Sequence, residues 1–179
     1  MASASHSPGP RILAATGPLF MTPLDYVMDA IADAGYSAVE VMVGQNTDTQ
    51  DPERIVACAE QAGLSVPAGK AATSMEIAAA VGAEVMVAHA PFRWERRSRR
   101  FLEEEILPME EASGVTFGME NLFPVAGRSF SSVITTEDMD AFDHVVMDTS
   151  HCAVAGIDIF EMWRALKHKI VHLHVADNF

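Results

Sequence analysis

One pattern recurs along most of the sequence: a short apolar run, a loop, an amphipathic segment, and then another apolar run. The apolar runs are rich in Val, Ile, Met and Ala and lack polar alternation, which is typical of parallel strands covered on both faces. The pattern therefore predicts strands alternating with helices. The predicted strands lie near residues 12–15, 38–43, 64–67, 84–89, 115–120, 144–148 and 170–175.

Capping residues mark where several helices should begin and end. Thr22 and Asp51 each stand directly before a proline, and Gly35 and Gly63 follow the amphipathic segments after them. A side-chain oxygen before a proline at the first helical position is a helix start, and a glycine after the last turn is a helix stop. Asp158 predicts a further helix start near the end of the sequence.

Seven such units in series, with no glycine-rich dinucleotide fingerprint after the first strand, favour a TIM-type (β/α) barrel over a Rossmann sheet. A complete barrel usually takes about 250 residues, whereas this sequence has 179 and stops after its seventh predicted strand. We expect an α/β fold, an incomplete barrel of about seven strand-helix units, as a single domain over residues 11–179. Residues 1–10 are expected to form a disordered tail.

The charge balance favours a small-molecule ligand. Twelve basic against 25 acidic residues give a net charge of -13, which makes nucleic acid an unlikely partner. No apolar run reaches the roughly 18 residues of a membrane helix, and the N-terminus lacks the features of an export signal. We expect a cytoplasmic protein with two reduced cysteines and no membrane partner. Open strand edges make a homo-oligomer possible.

Polar side chains accumulate where four consecutive predicted strands end, and the carboxyl ends of strands form the active site of parallel barrels. They are His89 on the fourth strand, Glu120 and Asn121 on the fifth, Asp148 and His151 on the sixth, and His172 and His174 on the seventh. Carboxylate oxygens and imidazole nitrogens form a mixed site suited to Mn²⁺, Mg²⁺, Co²⁺ or Zn²⁺.

Glu120, Asp148 and His174 are the predicted metal ligands. His172 shares a face with His174, but His174 lies nearer the carboxyl end of its strand and is the better ligand. Any one of these residues could instead cap a helix or bond loop amides, because buried charges need partners that are not necessarily metals. Convergence from neighbouring strands favours the metal site.

The element D-T-x-H-x-x-x-x-G at residues 148–156, with G-M-E-N-L at 118–122 before it and H-L-H-V-A-D at 172–177 after it, resembles the xylose isomerase-like barrel superfamily. That superfamily contains sugar phosphate isomerases and epimerases and the endonuclease IV class of DNA repair enzymes. The resemblance runs from about residue 12 to the last residue.

The resemblance implies a divalent metal held by Glu120, Asp148 and His174, and proton transfer next to a metal-polarised carbonyl of a sugar or sugar phosphate. It implies that His151 contacts the substrate or a second metal, and that His89 matches a further ligand position. Glu120 and His151 are accordingly the predicted catalytic residues. The family's eighth-strand glutamate has no counterpart here.

Further predicted substrate contacts are Glu40, His89, Arg93 and Asn121. Glu40 interrupts an apolar strand and points either to substrate or to a basic partner inside the barrel. Arg93 begins an arginine-rich segment that can bind phosphate or form a solvated helix face paired with Glu103, Glu104 and Glu105.

Two alternatives to the isomerase or epimerase stay open. An abasic-site endonuclease is suggested by the D-T-x-H element and the arginines, although the strand-three histidine of that class is missing and the net charge opposes DNA binding. A shortened, non-catalytic member that retains a metal or ligand site is the other.

Overall fold

The computed structural model describes residues 10–70, 75–96, 100, 104–125 and 128–176. Seven parallel strands form one sheet in the order β1 to β7, and each strand pairs with the next along the chain. Their bounds are β1 Ala14–Ala15, β2 Ala38–Met42, β3 Ser65–Lys70, β4 Val85–His89, β5 Thr116–Glu120, β6 Val145–Asp148 and β7 Ile170–His174. Alternating with helices, these strands form an incomplete TIM-type barrel, which confirms the predicted fold class.

Seven α-helices alternate with the strands in the described part of the chain. They are α1 Leu24–Asp33, α2 Pro52–Ala62, α3 Met75–Ala80, α4 Ile106–Ser113, α5 Thr136–Asp140, α6 Thr149–Ala155 and α7 Ile159–Leu166. No helix among the described residues is long and apolar enough to cross a membrane. Residues 1–9 of the predicted tail lie outside the described residues.

The predicted helix starts are confirmed in two of three cases. The Asp51 side chain caps α2 by accepting hydrogen bonds from the backbone N–H groups of Glu53 and Arg54, and Asp158 caps α7. The prediction that Thr22 caps α1 is wrong. Pro23 has an extended backbone and itself occupies the capping position, so α1 starts one residue later, with no side-chain cap.

The strands divide their side chains between two faces. On β5 and β6, Phe117, Met119, Val145 and Met147 belong to the apolar core under the helices. The alternate residues of the same strands face the barrel interior, because side chains one apart point to opposite faces. Glu120 and Asp148 are therefore on the interior side at the carboxyl ends of their strands.

A register shift decides which face of β7 is the interior one. Val145 of β6 pairs with Ile170, but the next residue, Val146, pairs with His172. Val171 is thus an extra residue on β7, and a β-bulge of this kind re-aims the side chains beyond it. Because of the shift, His172 and His174 come level with the interior-facing residues of β6.

β3 is longer than predicted and carries a second irregularity. Ala38 pairs with Ser65 and Glu40 pairs with Ala68, so β3 also has one extra residue beside β2. Pro67 lies in this interval, which fits the preference of strand prolines for bulges. The strand continues to Lys70, so the predicted end at residue 67 is wrong.

Candidate metal centre

Glu120, Asp148 and His174 meet at the carboxyl ends of β5, β6 and β7. His174 Nδ1 lies 2.7 Å from Glu120 Oε1 and 3.5 Å from Asp148 Oδ2. Glu120 is fully buried and Asp148 is 7% exposed. Three residues distant in the sequence thus bring two carboxylates and one imidazole to a single point inside the barrel.

Asp148 has a different partner for each carboxylate oxygen. Oδ1 caps α6 by accepting hydrogen bonds from the backbone N–H groups of Ser150 and His151, at 2.7 and 2.9 Å. Oδ2 faces the cluster, where it lies 3.5 Å from His174 Nδ1. Helix capping and a ligand role are therefore compatible in this residue, because they use different atoms.

Asn121 holds Asp148 in place through its side-chain amide. Its Oδ1 accepts a hydrogen bond from the backbone N–H of Asp148 at 2.8 Å, and its Nδ2 donates to the backbone carbonyl of Asp148 at 3.3 Å. Nδ2 also lies 3.5 Å from Cys152 Sγ. Asn121 is fully buried, so its amide joins the ends of β5 and β6, a contact that the sequence did not indicate.

His151 and His89 lie beside Glu120. His151 Nδ1 is 2.7 Å from the backbone carbonyl of Asn121, and because a carbonyl can only accept, Nδ1 carries the proton. In the neutral ring Nε2 is then the basic atom, 3.8 Å from Asp148 Oδ2. His89 Nε2 lies 3.0 Å from Glu120 Oε2, and its side chain is 46% exposed.

Glu40 supplies a third buried carboxylate. Its Oε2 lies 2.9 Å from His172 Nε2 and 2.9 Å from His174 Nε2. Glu40 is only 2% exposed. Of the two possibilities drawn from the sequence, the pairing with basic residues inside the barrel is therefore present.

Two of these carboxylates stay ionised despite their burial. Burial alone would raise the pKa of Glu40, but hydrogen bonds with His172 and His174 lower that pKa to about 2. Burial would likewise raise the pKa of Asp148, but hydrogen bonds from His174 and Ser150 lower it to about 2. The barrel interior is therefore strongly negative at neutral pH unless a cation is present.

His174 is that cation in the metal-free protein. Burial alone would lower its pKa, but hydrogen bonds to Asp148, Glu120 and Glu40 raise the pKa to about 11. An imidazole must be neutral to ligate a metal, so a metal ion and the ring proton compete for the same position. A divalent metal would replace the single positive charge of the ring with two.

The donor atoms are close enough to surround one ion. Two groups of three have their ligand atoms within 4.8 Å of one another: Glu40 with His172 and His174, and Glu120 with Asp148 and His151. The 2.7 Å contact between His174 and Glu120 joins the two groups. Mixed oxygen and nitrogen donors of this kind fit Mn²⁺, Mg²⁺, Co²⁺ or Zn²⁺.

A sequence model of the family described as xylose isomerase-like TIM barrel matches residues 28–179. The chain belongs to this family. An uncharacterized protein of Mycobacterium leprae is 29% identical over an alignment that covers 82% of this chain and 67% of that protein. The chain thus spans about two thirds of the length of this relative.

Two solved structures share the xylose isomerase-like fold. A D-tagatose 3-epimerase-like protein has a TM-score of 0.72 and 19% identity, over 94% of this chain and 77% of that chain. The IolI protein with a bound zinc atom has a TM-score of 0.68 and 14% identity, over 93% and 74% respectively. At these identities the likeness concerns the fold alone.

Arg93 makes its contacts outside the carboxylate-histidine cluster. Its Nε donates to the backbone carbonyl of Ser131 at 3.1 Å. Its backbone N–H donates to the backbone carbonyl of Phe130 at 2.9 Å. Further along, Arg100 forms the i,i+4 ion pair with Glu104 that the sequence predicted for a solvated helix face. Arg97, Arg99 and Glu103 lie outside the described residues.

Proposed function

We propose that the chain is a divalent-metal-dependent isomerase or epimerase of sugars or sugar phosphates, which moves a proton on a carbon next to a carbonyl. The convergence of Glu120, Asp148 and His174 at the carboxyl ends of three neighbouring strands carries the proposal. The fold shared with an epimerase-like protein and with a zinc-containing protein supports the same class.

Glu120, Asp148 and His174 are the proposed metal ligands, with Mn²⁺, Mg²⁺, Co²⁺ or Zn²⁺ as the metal. When bound, such a metal supplies Lewis-acid stabilisation of the negative charge that develops on a substrate oxygen. Burial of the carboxylates strengthens every charge interaction at this point.

His151 and Glu120 are the proposed catalytic residues. The carbonyl of Asn121 fixes the ring proton of His151 on Nδ1, so Nε2 is free to accept a proton on the cluster side. Glu120 ends β5 beside His89, His151 and His174, and its Oε1 lies 3.8 Å from His151 Nδ1. A carboxylate and an imidazole side by side suit general acid-base chemistry.

The substrate contacts also remain proposals. His89 is half-exposed at the end of β4 and beside Glu120, so it is the proposed contact at the mouth of the site. Glu40, Arg93 and Asn121 stay predictions, with Arg93 proposed to meet a substrate phosphate. A cytoplasmic location and a homo-oligomeric state stay predictions as well.

Proton exchange tests the function directly. The metal-free chain is reloaded with each of the four metals and incubated in D₂O with a panel of ketoses and ketose phosphates, and deuterium incorporation is followed by NMR. We expect exchange at a single carbon, together with formation of the epimer or isomer. His174→Ala should abolish the exchange. The matched control is His144→Ala, since His144 contacts Glu110 at 3.3 Å on the other side of the sheet.

Two results would contradict the proposal. Absence of exchange with every substrate, in a chain shown to be metal-loaded, would remove the isomerase or epimerase. Cleavage of an abasic DNA duplex by that same sample, without ketose exchange, would favour the endonuclease alternative.

A further inference from the structure

The carboxylate of Glu40 and the rings of His172 and His174 form a compact group behind the predicted metal ligands. Glu40 Oε2 is 2.9 Å from the Nε2 atom of each ring. The two rings stand nearly perpendicular, at 88°, with centroids 5.3 Å apart. One oxygen therefore receives two hydrogen bonds that arrive from different directions.

The contact with Glu40 decides which nitrogen of His174 faces the other carboxylates. An imidazole has two ring nitrogens, and a proton held on one leaves the other to ligate a metal. In His174, Nε2 donates to Glu40, whereas Nδ1 lies 2.7 Å from Glu120 Oε1 and 3.5 Å from Asp148 Oδ2. The metal-facing atom is thus Nδ1.

Glu40 needs a support of its own to act in this way. It is 2% exposed and lies on β2, at the far side of the interior from β5 and β6. His172 provides the support by donating to the same oxygen that His174 contacts. Because His172 and His174 are two residues apart on β7, one strand carries both donors at a fixed spacing.

We propose that Glu40 is a positioning residue that holds Nε2–H of His174 and so presents Nδ1 to the metal, and that His172 fixes Glu40. A carboxylate behind a ligating histidine sets the orientation of the ring and increases its basicity, and removal of such a partner typically weakens metal affinity 10- to 100-fold. The inference rests on the proposed function, since it requires a metal at Glu120, Asp148 and His174.

The test compares Glu40→Ala and Glu40→Gln with the wild-type chain. Co²⁺ titration followed by visible absorption measures the dissociation constant and reports the coordination geometry. We expect Glu40→Ala to weaken Co²⁺ binding about 10- to 100-fold. Glu40→Gln keeps an oxygen that accepts from His174 and should recover much of the affinity. Glu110→Ala is the matched control, because Glu110 also pairs with a histidine but lies outside the cluster.

A second readout separates positioning from a purely structural role. In the Zn²⁺-loaded protein, ¹⁵N NMR of the histidine rings identifies which nitrogen carries the metal and which the proton. We expect His174 to be metal-bound at Nδ1 and protonated at Nε2 in the wild type. Loss of stability in Glu40→Ala, without a change in affinity or in the ring assignment, would contradict the inference.

The possible outcomes are distinct. A wild-type chain that binds Co²⁺ while Glu40→Ala binds it equally well overturns the inference and leaves the proposed function standing. Metal attached to Nε2 of His174 also overturns it, and would assign the ion to Glu40, His172 and His174. A wild-type chain that binds none of the four metals removes the proposed function and the inference together.

Discussion

Gly118 lies at a crowded point on the interior side of β5. A Cβ atom added there would lie 2.5 Å from Val146 Cγ2 and 3.3 Å from Val171 Cγ2. Carbon atoms in contact prefer separations of about 3.5 to 4.0 Å, so Gly118→Ala requires the Val146 side chain or its strand to move by about 1 Å. Overpacking of this size typically costs about 1–3 kcal/mol, and we expect Gly118→Ala to lower the free energy of unfolding by that amount.

Val146→Ala provides the suppressor, because it removes the methyl group that the new Cβ would meet. We expect the double variant to lose less stability than the sum of the two single variants, by about 1 kcal/mol or more. The matched control is Gly69→Ala on β3, where the added Cβ would meet the Val41 carbonyl oxygen at an ordinary contact distance of 3.7 Å. That substitution should leave stability within about 0.5 kcal/mol of the wild type or raise it slightly.

The measurement is denaturant unfolding followed by circular dichroism, with the slope checked to be the same in all variants. Gly118 is two residues before Glu120 and on the same face of β5, so displacement of the strand should also weaken Co²⁺ binding. A Gly118→Ala variant as stable as the wild type, or a Val146→Ala change that fails to rescue it, would show that the interior is not packed as described.

Three further predictions concern single hydrogen-bonding side chains. Asn121→Ala should cost about 1–3 kcal/mol of stability in the same assay, because it leaves buried partners unsatisfied, and should weaken Co²⁺ binding; an unchanged Co²⁺ titration would contradict its positioning role. Asp51→Ala should cost about 1 kcal/mol through loss of the α2 cap, whereas Thr22→Ala, which removes no cap, should change stability by less than half of that. Burial would raise the pKa of Asp138, but hydrogen bonds from the backbone of Thr135 and its neighbour lower that pKa, so this carboxylate stabilises the fold above its unfolded pKa of about 3.9. That contribution disappears as pH falls below this value, and the stability difference between wild type and Asp138→Asn should shrink between about pH 5 and pH 2.

The sequence was sufficient to predict that Glu120, Asp148 and His174 lie together, because their placement follows from the order of the strands. Glu120, Asp148 and His174 each end an apolar run, and parallel strands bring such ends together whatever the details of packing. The contact between His172 and Glu40 could not be predicted in the same way. Their contact joins residues 132 positions apart across the interior, and it depends on pairing registers that composition and periodicity do not reveal.

The remaining differences have local causes. The side-chain amide of Asn121 joins the backbone of Asp148, a contact that the sequence did not indicate because it depends on how closely β6 approaches. β3 continues past Pro67 because the proline occupies an irregular position of the ladder, where a missing N–H is tolerated. In both cases a neighbouring strand, not the residue itself, determines the outcome.

The additional residue at Val171 makes the chemistry of β7 depend on residue count as well as on residue type. Ile170 pairs with Val145 and His172 pairs with Val146, so removal of Val171 would leave a regular ladder with both imidazoles still on the interior side. Removal of Leu173, beyond the bulge, has no such compensation, because His174 would then exchange sides and point at the surrounding helices. A single-codon deletion can thus be absorbed at Val171, whereas the same deletion two residues later would take the ring nitrogens of His174 out of the centre.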